Sequence, residues 1–140
     1  MSTEKARIVL DTNVIVSAII SKEGMPATIL ELLFKGKVIN FTTDEIIAEL
    51  IEVLGRDFIK ETASGDYRDF ILSELLSHSI ALEPIYHEFV IREDKSDDKF
   101  INCALTANAD IVSGDRHLLS LGKYKDIVVL SPREFLGMLK

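Results

Sequence analysis

Residues 97–115 read DDKFINCALTANADIVSGD, and this stretch decides the fold that the sequence predicts. Its apolar residues recur at helical spacing, so we expect a helix over Ser96–Ala107. The β-branched run Asp110–Ser113 then predicts a short strand that ends just before Asp115. A helix followed directly by a strand is the repeating unit of an α/β fold.

Strand signals recur on both sides of this stretch. Five short apolar runs rich in β-branched residues predict strands. They are Arg7–Leu10, Val38–Thr42, Ile80–Pro84, Asp110–Ser113 and Ile127–Leu130.

Helical patterns fill the intervals between these runs. The clearest covers Thr43–Leu54, with a capping box of Thr42 and Glu45 at its start and Gly55 at a left-handed stop position. A second begins at Pro26, runs through Phe34 and is closed by Gly36. Residues 54–79 hold two more helical patterns and no strand signal. Strands that alternate with helices predict an α/β class with a mainly parallel sheet covered on both faces.

Length and composition bound the kind of protein. A chain of 140 residues, 47% hydrophobic and 28% charged, suits a single domain over residues 1–140. The apolar runs are too short for a signal peptide or a membrane span, and the single cysteine, Cys103, has no disulfide partner. We therefore expect a cytoplasmic protein that is not in the membrane.

The net charge of −7 argues against tight, non-specific binding to nucleic acid, which depends on Lys and Arg. This objection weakens if many of the 23 acidic residues surround bound cations that cancel their charge. The composition then becomes a prediction of metal dependence.

Two aspartates follow predicted strands directly. Asp11 comes after the first strand and Asp115 after the fourth, so both are expected at the carboxyl edge of the sheet, where open α/β sheets bind ligands. Either residue alone could instead be a turn former or a helix cap.

Helix geometry adds two more acids. In the helix Thr43–Leu54, Glu49 lies nearer the buried face than the other glutamates do. Asp97 is in line with the apolar stripe of the helix Ser96–Ala107, whereas Asp98 is turned away from it and is expected as a cap or a supporting residue.

Four carboxylates at one point repel each other unless a cation lies among them. All-oxygen ligands favour Mg²⁺, Mn²⁺ or Ca²⁺ over zinc, and the three histidines have no ligand-pair spacing. Such an ion can activate water and stabilise the transition state of phosphodiester hydrolysis. The predicted catalytic and metal-binding residues are Asp11, Glu49, Asp97 and Asp115.

These four motifs together resemble the PIN-domain family of metal-dependent nucleases, many of which are the ribonuclease toxins of toxin-antitoxin pairs. The resemblance spans nearly the whole chain. It rests on Asp11-Thr12-Asn13, on Glu49 in EIIAELIEVL, on Asp97 in DDKFINCAL and on Ser113-Gly114-Asp115.

The resemblance implies a three-layer α/β/α sandwich with a five-stranded parallel sheet, Mg²⁺ or Mn²⁺ as cofactor and an RNA substrate. It also implies a homodimer and a cognate antitoxin. By the same resemblance, Asn13 and Ser113 would orient carboxylates or water by hydrogen bonding. Five basic residues near the expected pocket could guide a phosphate backbone, or could simply be solvated. They are Lys22, Lys95, Lys99, Arg116 and His117.

Three alternative functions remain at this point. A haloacid-dehalogenase-like phosphatase also starts from an aspartate after the first strand, but it needs an acid where Asn13 stands. A receiver-type signalling module binds Mg²⁺, but it needs paired acids at the end of the first strand and a lysine after the fifth. A catalytically silent relative that binds RNA or protein would not need all four acids.

Overall fold

The structure, a computed structural model, describes residues 4–91 and 97–139. Its helices and strands alternate through most of the chain. In order they are β1 (Ala6–Leu10), α1 (Thr12–Ile20), α2 (Met25–Phe34), β2 (Val38–Thr42), α3 (Asp44–Leu54), α4 (Asp57–Thr62), α5 (Gly65–Ser77), β3 (Ser79–Ala81), α6 (Asp98–Ala107), β4 (Asp110–Val112), α7 (Arg116–Leu121), β5 (Lys123–Tyr124), β6 (Ile127–Leu130) and α8 (Pro132–Met138).

The strands form one sheet in the order β3-β2-β1-β4-β6-β5. The ladders joining β3, β2, β1, β4 and β6 are parallel, and β5 pairs antiparallel with β6. The prediction of a mainly parallel α/β sheet is confirmed. In the described ranges the strand count is six rather than five, because the two-residue β5 has no apolar run to mark it.

Both faces of the sheet are buried. In β1, Ile8 and Leu10 pack into one hydrophobic cluster with α1, α2 and α5, whereas Val9 packs into another with α6 and α7. All three residues are at most 1% exposed, as expected when helices cover a parallel strand on both sides. The sheet is therefore the middle layer of three.

Several helix boundaries correct the sequence predictions. Helix α3 is capped by Thr43, whose hydroxyl accepts from Ile46 N at 3.2 Å, so Thr42 is not the cap and ends β2 instead. Gly55 has φ −85° and is not left-handed. Gly36, with φ +73°, does occupy the left-handed position expected after α2.

Two further boundaries differ from the predictions. Strand β3 is shorter than the predicted run Ile80–Pro84 and starts at Ser79. Helix α6 starts at Asp98 in the described part of the chain, and the predicted start at Ser96 lies outside the described residues.

Candidate active site

The carboxyl ends of β1 and β4 bring the first two predicted acids together. These strands are neighbours in the sheet, and Asp11 N donates to Val112 O at 3.0 Å just beyond their ladder. Ser113 lies between the acids: its hydroxyl donates to Asp11 Oδ2 at 2.6 Å and accepts from Asp115 N at 2.9 Å. Ser113 is fully buried, so this contact fixes both acids on a single rigid edge.

Each of these aspartates also caps a helix. Asp11 Oδ1 accepts from Asn13 N at 3.4 Å at the start of α1, and Asp115 Oδ1 accepts from His117 N at 2.7 Å and Leu118 N at 3.2 Å at the start of α7. The capping role considered from the sequence is therefore present for both. Asn13 supports Asp11 through its backbone, while the residue itself is exposed.

Asp11 is a buried carboxyl in an acidic setting. Burial raises its pKa, hydrogen bonds from Ser113 and Asn13 oppose that rise, and the charges of Asp115 and Glu49 raise the pKa further. Only 3% of the residue is exposed. Asp115 and Glu49 are therefore close enough for their charges to act on Asp11. A cation bound among these three carboxylates would relieve their repulsion.

Glu49 reaches this edge from α3. Its Oε1 accepts from the Thr12 hydroxyl at 2.6 Å, and its Oε2 lies 2.6 Å from Lys99 Nζ. The Glu49 side chain is 29% exposed, while Glu45 and Glu52 on the same helix are exposed, as the helical wheel predicted. The contact with Thr12, a buried residue directly after Asp11, was not predicted from the sequence.

Helix α6 supplies the two adjacent aspartates. Asp97 precedes its first turn and is buried at 8% exposure, in keeping with the predicted inward direction. Asp98 is also buried, at 6%, and its Oδ1 accepts from Val90 N at 3.0 Å and Ile91 N at 2.8 Å. The sequence predicted that Asp98 turns away from the apolar stripe as a cap or supporting residue; its burial was not predicted and arises because the irregular segment 82–91 covers that side of the helix.

Segment 82–91 is held along α6 by a row of polar side chains one helical turn apart. Besides Asp98, Asn102 Oδ1 accepts from Glu88 N at 2.9 Å and Thr106 Oγ1 accepts from Ile85 N at 3.0 Å. Between this segment, α3 and α6 lies a cavity of about 450 Å³. Its lining includes Thr43, Tyr86, Phe89, Asp98 and Lys99.

The five basic residues are placed differently from one another. Lys99 contacts Glu49, with a side chain only 6% exposed, so it is not presented to solvent. Lys22 lies beyond the far end of α1, about 13 Å of helix away from Asp11, with its ammonium 4.1 Å from the Tyr67 ring centroid. Arg116 and His117 lie in α7 beside Asp115, and Lys95 is outside the described residues.

The donor set suits a hard divalent cation, since every candidate ligand is a carboxylate oxygen. As placed, however, the side chains of residues 4–91 and 97–139 include no group of three or more His, Cys, Asp or Glu that could already hold a metal ion. Glu49 Oε2 instead contacts the Lys99 ammonium group at 2.6 Å. The hydrogen bonds described above for the Asp11 and Asp115 carboxylates come from neutral donors, a hydroxyl and backbone N–H groups.

Comparisons with known proteins agree with this fold. The model of the PIN domain matches residues 7–117. An uncharacterized protein, MJ1680 of Methanocaldococcus jannaschii, is 34% identical over 97% of this chain and 93% of its own. The chain belongs to the PIN-domain family, a family of nucleases.

A solved structure shares the fold. It is the crystal structure of VapBC2 from Rickettsia felis bound to a DNA fragment from their promoter. The similarity has a TM-score of 0.58 at 17% identity and covers 89% of this chain and 98% of the matched one.

No helix in residues 4–91 or 97–139 is long and apolar enough to cross a bilayer.

Proposed function

We propose that this protein is a ribonuclease that depends on Mg²⁺ or Mn²⁺, with residues 1–140 forming one PIN-like domain. The observation that carries the proposal is a hydrogen-bonded unit of buried Asp11, buried Ser113 and half-buried Asp115, in which the charge of Glu49 also acts on Asp11. We assign Asp11, Glu49, Asp97 and Asp115 as the acids that hold the metal and act in catalysis. Ser113, Asn13 and Asp98 support them.

The chemistry follows from the positions of these groups. A divalent ion held by the acids would supply Lewis acidity toward water and phosphate oxygens. Ser113 keeps Asp11 Oδ2 and the Asp115 backbone in a fixed relation, so neither carboxylate has to be ordered when substrate binds. Hydrolysis by water needs no protein nucleophile, which agrees with the burial of Cys103 and a pKa raised by that burial to about 12.

Single-stranded RNA is the substrate class that we favour. Phe89 is 85% exposed and Tyr86 is 39% exposed where segment 82–91 borders the cavity beside Lys99. Exposed aromatic rings offer stacking surfaces to unpaired bases. Residues 86–89, which read YHEF, line the same cavity as Asp98 and Lys99.

The toxin role is the biological setting that we propose. The shared fold with a chain of the VapBC2 structure and the family membership support a toxin-antitoxin pair with an antitoxin partner. The homodimer is proposed from the family resemblance alone. Co-expression with the small protein encoded beside it tests the pairing: relief of growth arrest is expected. Light scattering on the purified protein tests for the dimer, and a monomeric mass would contradict it.

Strand order weighs against the receiver-type alternative. In receiver-type sheets the order is 2-1-3-4-5, so the first strand lies between the second and third. Here β1 lies between β2 and β4. The phosphatase alternative lacks its general acid, because Asn13 occupies that position and contributes only a backbone N–H to Asp11.

Cleavage of single-stranded RNA tests the proposal. We expect cleavage with Mg²⁺ or Mn²⁺, none with EDTA, and a loss of at least about 100-fold in Asp11→Asn, the scale on which one charge-stabilising group contributes. Asp69→Asn, an exposed aspartate in α5, is the matched control and should retain full activity. Cleavage that survives EDTA, or that survives in Asp11→Asn, would overturn the assignment.

A further inference from the structure

The ammonium group of Lys99 lies inside the acidic edge. Its side chain is 6% exposed and its Nζ is 2.6 Å from Glu49 Oε2, two residues along the chain from Asp97. A buried ammonium is costly unless it is paired, so this contact is a strong local constraint on Glu49.

Glu49 differs from Asp11 and Asp115 in the groups that contact its carboxylate oxygens. Both of its oxygens are used, one by the Thr12 hydroxyl at 2.6 Å and one by the Lys99 cation. The hydrogen bonds to Asp11 and Asp115 come from neutral groups, a hydroxyl and backbone N–H groups. A metal ion bound to Glu49 would lie beside the ammonium, and the two positive charges would repel each other.

We propose that Lys99 takes the place of a second cation and that the substrate-free protein holds one divalent ion, on the side of Asp11 and Asp115. This rests on the proposed metal site. With four carboxylates, one lysine and one divalent ion, the site keeps a single negative charge; a second ion would make it positive. Glu49 would then be a ligand only of a second ion, bound together with the negative phosphodiester, and not of the ion that the free protein holds.

The role of Lys99 is thus one of positioning and charge compensation. It keeps Glu49 oriented by an internal cation before substrate binds, and it sets the number of ions that the free protein takes up. A purely structural ion pair would affect folding but not this number.

Titration with Mn²⁺, followed by electron paramagnetic resonance of the unbound ion, tests the proposal without RNA. We expect one ion per chain for the natural protein. For Lys99→Met we expect two ions per chain, or one bound at least about tenfold more tightly, since loss of a nearby charge in a partly buried site exceeds the roughly 1.4 kcal/mol that a tenfold change requires. Lys99→Arg keeps the charge and should remain at one ion.

Matched variants separate this effect from folding. Lys35→Met removes an exposed lysine paired with Glu31 in α2 and should leave Mn²⁺ binding unchanged. Glu49→Gln, which does not depend on Lys99→Met folding, should still bind one ion, but more weakly, because a negative charge near the ion is lost. Circular dichroism checks that each variant is folded.

The outcomes distinguish failure of the inference from failure of the proposed function. Two ions of equal affinity in the natural protein, unchanged binding in Lys99→Met, or a complete loss of Mn²⁺ binding in Glu49→Gln would overturn the inference alone. Absence of Mn²⁺ binding, or unchanged binding in Asp11→Asn, would overturn both the inference and the proposed metal site.

Discussion

Replacing Ser113 with alanine should destabilise the metal-free protein more than the same replacement at any exposed serine. The substitution removes the 2.6 Å hydrogen bond to Asp11 Oδ2 and the 2.9 Å hydrogen bond from Asp115 N. A buried bond to a charged group contributes about 1.5–3 kcal/mol and one between neutral groups about 0.5–1.5 kcal/mol. We therefore expect a loss of about 2–4 kcal/mol at pH 7, or roughly 6–12 °C in Tm for a domain of this size.

The loss should also depend on pH in a definite direction. Burial raises the pKa of Asp11 above 3.8, and the Ser113 hydroxyl opposes that rise, so in Ser113→Ala the pKa is raised further. A raised carboxyl pKa means that the fold tolerates the protonated form better than the ionised one. Since the pKa of Asp11 lies above 3.8 in the natural protein and higher still in the variant, the difference in stability between the two should shrink as pH falls from 7 through these raised pKa values.

Urea denaturation in EDTA at several pH values measures both quantities. Ser73→Ala, an exposed serine in α5, is the control and should change the free energy of unfolding by less than about 0.5 kcal/mol. The reasoning is refuted if Ser113→Ala matches this control at pH 7. It is also refuted if the loss is the same at every pH.

Four further predictions follow from the described contacts. Asp11→Asn should raise the Tm of the metal-free protein at pH 7, because the raised pKa means that ionised Asp11 destabilises the fold at that pH. The increase in Tm should fade as pH falls toward 3.8, and a lower Tm at pH 7 would contradict the prediction. Asp98→Ala should speed amide exchange at Val90 and Ile91, since each lost bond to a charged group contributes about 1.5–3 kcal/mol; unchanged exchange there by NMR would contradict the anchoring. Phe100→Ala should cost about 3–5 kcal/mol in urea denaturation because this ring is fully buried. Cys103, buried and with its pKa at about 12, should not react with a thiol reagent at about pH 8 until the protein unfolds.

The parts of the site that could be predicted from sequence are those set by local periodicity. Asp11 and Asp115 follow strands, and strands in a parallel sheet end at one edge, so their placement at that edge needed only the α/β class. Their contact through Ser113 also depends on β1 and β4 being neighbours, which the sequence did not show. The helical wheel of α3 predicted that Glu49 lies nearer the buried face than Glu45 and Glu52, and its partial burial agrees with that position; its role in the site stays a prediction. Both inferences depend on the side-chain periodicities of strands and helices, two and 3.6 residues, which can be read from the sequence.

The parts that could not be predicted depend on how separate elements meet. The contact of Lys99 with Glu49 joins α6 to α3, which are 44 or more residues apart and related only through the packed layers. The burial of Asp98 depends on an irregular segment with no periodic signal. Strand β5 was missed because its pairing comes from the turn with Lys125 at φ +53° rather than from hydrophobicity.

The double use of Asp11 and Asp115 bears on how this family can lose activity. Each carboxylate also starts a helix, α1 or α7, so a lineage that abandons catalysis still needs a cap at both positions. Asn and Ser cap nearly as well as Asp, whereas Ala costs about 0.5–2 kcal/mol. Inactive descendants should therefore carry Asn or Ser at these two positions, and an alignment could separate them from active relatives by this pair of residues alone.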